Sequence, residues 1–172
     1  MTSAPKSSPA ITLRPATVGD VPIILRCIQG LAEYEQLGHE CQATEELLRE
    51  SLFGEAPGAE VTLALADAAP AGFALWFRSY STFLARPGIY LEDLFVFPEF
   101  RGFGIGKLLL TSLARTAVDR GYGRVEWAVL DWNVDAIGFY ESLGARPNGE
   151  WTTYRLTGDA LRSAGGFCDE RR

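Results

Sequence analysis

Residues 90 to 107, Tyr-Leu-Glu-Asp-Leu-Phe-Val-Phe-Pro-Glu-Phe-Arg-Gly-Phe-Gly-Ile-Gly-Lys, constrain this chain more than any other stretch. The apolar run at 89–97 predicts a strand that Pro98 ends. Glycines follow at 102, 104 and 106, and Leu108, Leu109, Leu110 and Leu113 mark the apolar side of a helix predicted over 105–120. A helix N-terminus reached through glycines gathers unpaired backbone N–H groups at the positive end of the dipole, which makes it a phosphate site. The strand also carries two adjacent carboxylates, Glu92 and Asp93, and burying carboxylates is costly unless they serve chemistry. Strand, turn and helix together point to an enzyme that holds a phosphorylated cofactor and moves a proton.

Around this unit the chain alternates short strands and helices. Residues 11–14 read as a strand closed by Pro15. Asp20 can cap a helix starting near Val21, with Pro22 in its first turn and Gly38 as its stop. Thr44, followed by Glu45 and Glu46, starts a second helix that ends near Gly54. Residues 61–66 and 72–77 pair as a hairpin across the turn at 67–70. After the glycine helix, stopped by Gly121, come a strand at 124–130, a helix at 134–143 ended by Gly144, and a final strand at 151–156. The fold class is mixed α/β of the α+β type. Residues 1–10, rich in Ser, Pro and Ala, read as a flexible tail, and 11–172 as a single domain.

At 172 residues, 47% apolar and 22% charged, the chain is long enough for one sizeable core. Its net charge of −6 argues against general nucleic-acid binding, which needs basic stripes. No run reaches the length of a membrane span. Cys27, Cys41 and Cys168 are odd in number and lack metal-ligand spacing, and the first ten residues lack a signal peptide's apolar stretch. Reduced thiols in a cytoplasm, without a metal, are the expectation.

Two phosphate motifs are excluded by spacing. A P-loop needs a glycine five positions before Gly106 and Ser or Thr after Lys107, where this chain has Arg101 and Leu108. The dinucleotide fingerprint needs Gly-x-Gly-x-x-Gly, whereas Gly102, Gly104 and Gly106 are evenly spaced. What remains is Arg-x-x-Gly-x-Gly at Arg101, Gly104 and Gly106, which resembles the pyrophosphate loop of the Gcn5-related N-acetyltransferase superfamily. Arg14-Pro15-Ala16-Thr17, Leu31 to Glu35, Tyr90 to Asp93, Asp131-Trp132-Asn133, Phe139-Tyr140 and Leu143-Gly144-Ala145 extend the resemblance over nearly the whole chain. They are similar to the diamine branch, which holds the spermidine/spermine and thialysine N-acetyltransferases. The resemblance implies a central twisted, mostly antiparallel sheet flanked by helices, with strands splayed apart at the cofactor site. It also implies acetyl-coenzyme A as cosubstrate, a small-molecule amine as acceptor, and a homodimer.

Alternation along the strand predicts Tyr90, Glu92, Leu94 and Val96 on one face and Leu91, Asp93, Phe95 and Phe97 on the other, so that one carboxylate alone faces the acceptor. The resemblance selects Glu92 as base, acting directly or through water, and as anchor for the ammonium, leaving Asp93 a structural role. An alkylammonium must lose its proton before attacking a thioester. By the same resemblance Tyr140 is the general acid for the departing sulfur and Asn133 contacts the cofactor. Leu94, Phe95 and Val96 pair main-chain groups with the pantetheine arm, and Arg101, Gly102, Phe103, Gly104, Ile105, Gly106 and Lys107 cradle the pyrophosphate. Glu35, Thr82 and Trp132 join Glu92 at the acceptor. Glu33 departs from the lysine of some members. Thr82 stands where polyamine-preferring members carry an acid and Leu84 where they carry an aromatic, which favours shorter diamines or lysine-like amino acids. The rival readings are a protein or peptide acetyltransferase and a non-catalytic acyl-coenzyme A binding module; Glu92 and Tyr140, both present, speak for the enzyme.

Overall fold

The computed structural model describes residues 8–166. Cys168 and most of the tail predicted at 1–10 lie outside the described residues. The chain divides into two compact units, Met1–Ala128 and Val129–Arg172. The first contains β1 (Ile11–Pro15), α1 (Val21–Tyr34), α2 (Glu45–Phe53), β2 (Glu60–Ala66), β3 (Ala69–Ser81), β4 (Arg86–Val96), α3 (Ile105–Asp119) and β5 (Val125–Trp127). Its five strands follow chain order, β1 to β4 antiparallel and β5 parallel to β4, so the mixed sheet with flanking helices is as expected. The ladder with β5 covers Ile89 to Leu91, and beyond it the β5-facing edge of β4 has no strand partner among the described residues. That is the splay.

One face of the sheet packs against α1 and α2 through Val21, Ile24, Cys27, Leu48, Leu52, Leu63, Phe73, Leu75 and Phe95. Leu94, which alternates with Phe95, meets α3 on the other face beside Gly106. Burying so many aliphatic side chains on both faces is the main force holding the layers together. The turn between β1 and α1 is pinned by Asp20, whose two carboxylate oxygens each accept from Arg14 at 2.7 Å. One of those oxygens also accepts from the Thr17 backbone N–H and hydroxyl. The Arg14 hydrogen bond, foremost, holds the Asp20 carboxyl well below the usual range.

Several boundaries differ from the sequence reading. Helix α1 stops at Tyr34, before Gly38, because Gln36 adopts a left-handed φ of 62° while the Leu37 N–H reaches back to the Ala32 carbonyl. The β2–β3 turn is tighter than 67–70, with Asp67 and Ala68 both at positive φ, so β3 begins at Ala69. Strand β5 is three residues long rather than seven.

The second unit contains α4 (Val134–Ser142) and α5 (Gly158–Ala164). The strand expected at 151–156 is absent: these residues carry no regular secondary structure, and Trp151, Tyr154 and Leu156 are exposed. Backbone ladders, which alone make a strand, do not form there. Helix α5, opening at Thr157, was not anticipated. No helix among the described residues is long and apolar enough to cross a membrane.

Candidate active site

The carboxylate strand does not alternate as its sequence predicts. Leu75 of β3 pairs with Asp93, yet the next residue, Trp76, pairs with Leu91, leaving Glu92 as an extra residue in β4. Such a bulge shifts the pleat by one. Paired residues share a face, so Tyr90, Asp93 and Phe95 lie with Phe77, Leu75 and Phe73 toward α1, and Leu91, Leu94 and Val96 lie on the opposite face. The single-face assignment of Tyr90, Glu92, Leu94 and Val96 is therefore corrected. Asp93, read from the sequence as structural, instead sits half-buried near two other carboxylates. Burial first, then the negative charges of Glu92 and Glu35, push its carboxyl up to about 6. Glu35, at the C-terminal cap of α1, is also raised by burial. Glu92 is exposed. Three carboxylates from a helix end and a bulged strand converge, an arrangement that attracts a cation.

The glycine turn follows at the end of β4. Gly102 and Gly104 take φ of 84° and 76°, left-handed values that a side chain disfavours, and a β-carbon at either would find open space. The turn is glycine for its backbone shape, with room left over its N–H groups. Gly104 is the N-cap of α3, and the first backbone bond of the helix runs from the Leu108 N–H to its carbonyl. The N–H groups of Ile105, Gly106 and Lys107 thus belong to the unpaired first turn, with the Lys107 side chain exposed beside them. Phe103 is exposed and Ile105 buried. Arg101 turns its guanidinium away from this turn: its Nε donates to the Val96 carbonyl at 3.1 Å and its Cζ lies 4.9 Å from the Tyr34 ring centroid.

Other predicted residues lie elsewhere. Thr82 is exposed in the β3–β4 turn, and Glu92 lies about 20 Å further along β4 at ~3.4 Å per residue. In the second unit Asn133 caps α4, its Oδ1 accepting from the Ala136 N–H at 3.3 Å. Tyr140, on the same helix, is half-buried with its ring 5.3 Å from that of Phe139. Trp132 is half exposed just before the helix. The sequence reading gave Asp93 a structural role and did not foresee its half-buried place beside Glu92 and Glu35.

A phosphate-ready turn at the end of a splayed sheet, with carboxylates one strand-length behind it, defines a group-transfer enzyme using a phosphorylated carrier. Residues 27–145 match the Acetyltransferase (GNAT) family, and the chain belongs to that family. It is 40% identical to a thialysine N-epsilon-acetyltransferase of Bos taurus, across 91% of this chain and 98% of that protein. It is 38% identical to the L-ornithine N5-acetyltransferase NATA1 of Arabidopsis thaliana, across 88% of this chain and 86% of the relative. An integron cassette protein from V. cholerae has a similar fold, with a TM-score of 0.77, 26% identity and coverage of 90% and 97%. The chain is an N-acetyltransferase.

Proposed function

We propose that this enzyme moves the acetyl group of acetyl-coenzyme A directly to the primary amine of a small cationic acceptor, both substrates being bound together. The convergence of Glu35, Glu92 and Asp93 beside the open edge of β4 is the observation that carries this reading. The residues present fit the carrier: left-handed glycines and first-turn N–H groups suit a pyrophosphate, and the unladdered edge at Leu94 to Val96 suits the amides of a pantetheine arm. Arg101 contributes its backbone to that turn, and Lys107 adds charge. When bound, the carrier supplies an activated acetyl thioester.

The three carboxylates draw in the ammonium, and Glu92 takes its proton, so the freed lone pair can bond to the thioester carbonyl carbon. Asp93, whose raised pKa suits proton acceptance near neutrality, shares that load. Tyr140 gives a proton to the sulfur as the carbon–sulfur bond breaks and is reprotonated as the new amide nitrogen sheds its second proton, and Asn133 supports the carrier. Trp132 belongs to acceptor recognition on the strength of the resemblance, whereas Thr82, about 20 Å from Glu92 at ~3.4 Å per residue along β4, does not. A homodimer working in a cytoplasm completes the proposal, on the strength of the resemblance.

The test is thiol release from acetyl-coenzyme A with spermidine, putrescine, diaminopropane, ornithine, lysine and thialysine as acceptors. Release with at least one of them is expected; none with any would overturn the reading. Thermal shift with acetyl-coenzyme A against ATP and NAD checks the carrier independently.

A further inference from the structure

Arg101 stands directly before Gly102, yet its side chain is turned toward the other end of the site. Its Nε donates to the Val96 carbonyl at 3.1 Å, which fixes the guanidinium against the end of β4. The guanidinium carbon lies 4.9 Å from the Tyr34 ring centroid and 5.8 Å from that of Phe95, both within cation–π range. Tyr34, Phe95 and Arg101 line one groove between α1 and β4. Among the described residues Arg101 forms no ion pair, although the chain carries a net charge of −6.

Tyr34 is the last residue of α1, and Glu35 is its C-terminal cap. Gly30, at i and i+4 with Tyr34, shares its helix face and meets the Phe95 ring. Two contacts one turn apart thus join α1 to β4 and the segment after it: Gly30 on Phe95, and Tyr34 on Arg101. The first sets how near the helix lies to the strand. The second holds the final turn, from which Glu35 extends before Gln36 leaves the helix at φ 62°. The negative charge of Glu35 is felt by Asp93 across that gap. Misplacing a group at a reacting centre by about 1 Å can cost roughly 100-fold in rate.

Charge alone does not explain an arginine here, because a cation beside an amine-binding carboxylate cluster repels the amine. Shape does. A planar guanidinium can stack on rings while its Nε stays bonded to a carbonyl, and an ammonium cannot do both. We propose that the Arg101 side chain is a positioning residue for the acceptor, holding the end of α1 so that Glu35 meets Glu92 and Asp93. Its backbone alone serves the carrier. The inference rests on the amine-acetyltransferase reading above and moves one side chain from the carrier to the acceptor.

Steady-state kinetics of Arg101→Ala and Arg101→Lys, with whichever of the six amines named above is used best, test it. If the guanidinium acted by its charge alone, alanine would lower the amine KM and lysine would leave it unchanged. Positioning predicts the opposite sign: both variants should raise the amine KM about fivefold or more, and the KM for acetyl-coenzyme A should stay within about twofold of wild type. Tyr34→Leu should reproduce the defect. Arg101→Ala/Tyr34→Leu should be no worse than the poorer single variant, since both changes break one contact. Thermal melts check that each variant folds, and Arg101→Lys, the milder change, carries the test if the alanine variant unfolds. A lower or unchanged amine KM would overturn the proposal, as would additive defects. So would a matching or larger rise in the KM for acetyl-coenzyme A, which would return the side chain to the pyrophosphate. Acetylation of none of the six amines is instead the failure of the enzymatic reading. Calorimetry then decides: Arg101→Lys should weaken spermidine binding about fivefold or more and leave acetyl-coenzyme A binding unchanged, and any other pattern would overturn the proposal.

Discussion

Gly30 of α1 lies so near Phe95 of β4 that a β-carbon at position 30 would stand 2.7 Å from the Cζ of that ring. The helix can approach the strand this closely only because position 30 has no side chain. Gly30→Ala therefore forces the ring or the helix to move, at a cost of about 1–3 kcal/mol in denaturant unfolding, although alanine is the better helix former. Trimming the ring in Gly30→Ala/Phe95→Leu should recover part of that loss. A fully additive double mutant would show that the two residues do not press on one another.

Asp93 makes stability depend on pH. Its carboxyl titrates near 6 in the folded chain against an ordinary 3.8, so folding favours the protonated form. The contribution is fully present below about pH 4 and is lost as pH rises through about 6. Asp93→Asn should remove that slope and be the more stable protein at pH 8, by up to about 3 kcal/mol. Urea unfolding of both proteins at pH 4 and pH 8 decides it, and parallel pH curves would refute the assignment.

Gly104→Ala places a β-carbon on a left-handed residue at the N-cap of α3. Strain of about 1–2 kcal/mol should distort the turn and raise the KM for acetyl-coenzyme A about fivefold or more. The KM for the amine should move much less, and an equal rise in both would remove the turn from carrier binding.

Tyr140→Phe should keep the fold, since the ring remains beside Phe139, while kcat falls by about tenfold or more with loss of a positioned acid. Turnover at the wild-type rate, with matching thermal melts, would exclude the hydroxyl from catalysis.

Much of this could be read from residue order alone. Helix α3 was legible because its apolar side is periodic and glycines flank both ends, Gly104 before it and Gly121, at φ 68°, after it. The faces of β4 were not legible, because the bulge is a property of its register with Leu75 and Trp76 and leaves no mark in the sequence of β4. For that reason Asp93 was grouped with Leu91 rather than with Tyr90. The end of α1 was misplaced because Gln36, not a glycine, adopts the left-handed turn. The six residues at 151–156 have strand-like side chains, but propensity does not make a strand without a ladder.

The extra residue at Glu92 divides β4 into two reading frames. Odd-numbered Ile89 and Leu91 point one way, and odd-numbered Asp93 and Phe95 the other. Removing one residue between them would merge the frames and turn either the carboxylate and the ring, or the two aliphatic side chains, to the wrong side of the sheet. The length of this segment is thus under a stricter constraint than its composition. Point substitutions here exchange one side chain; a single deletion inverts a whole half-strand.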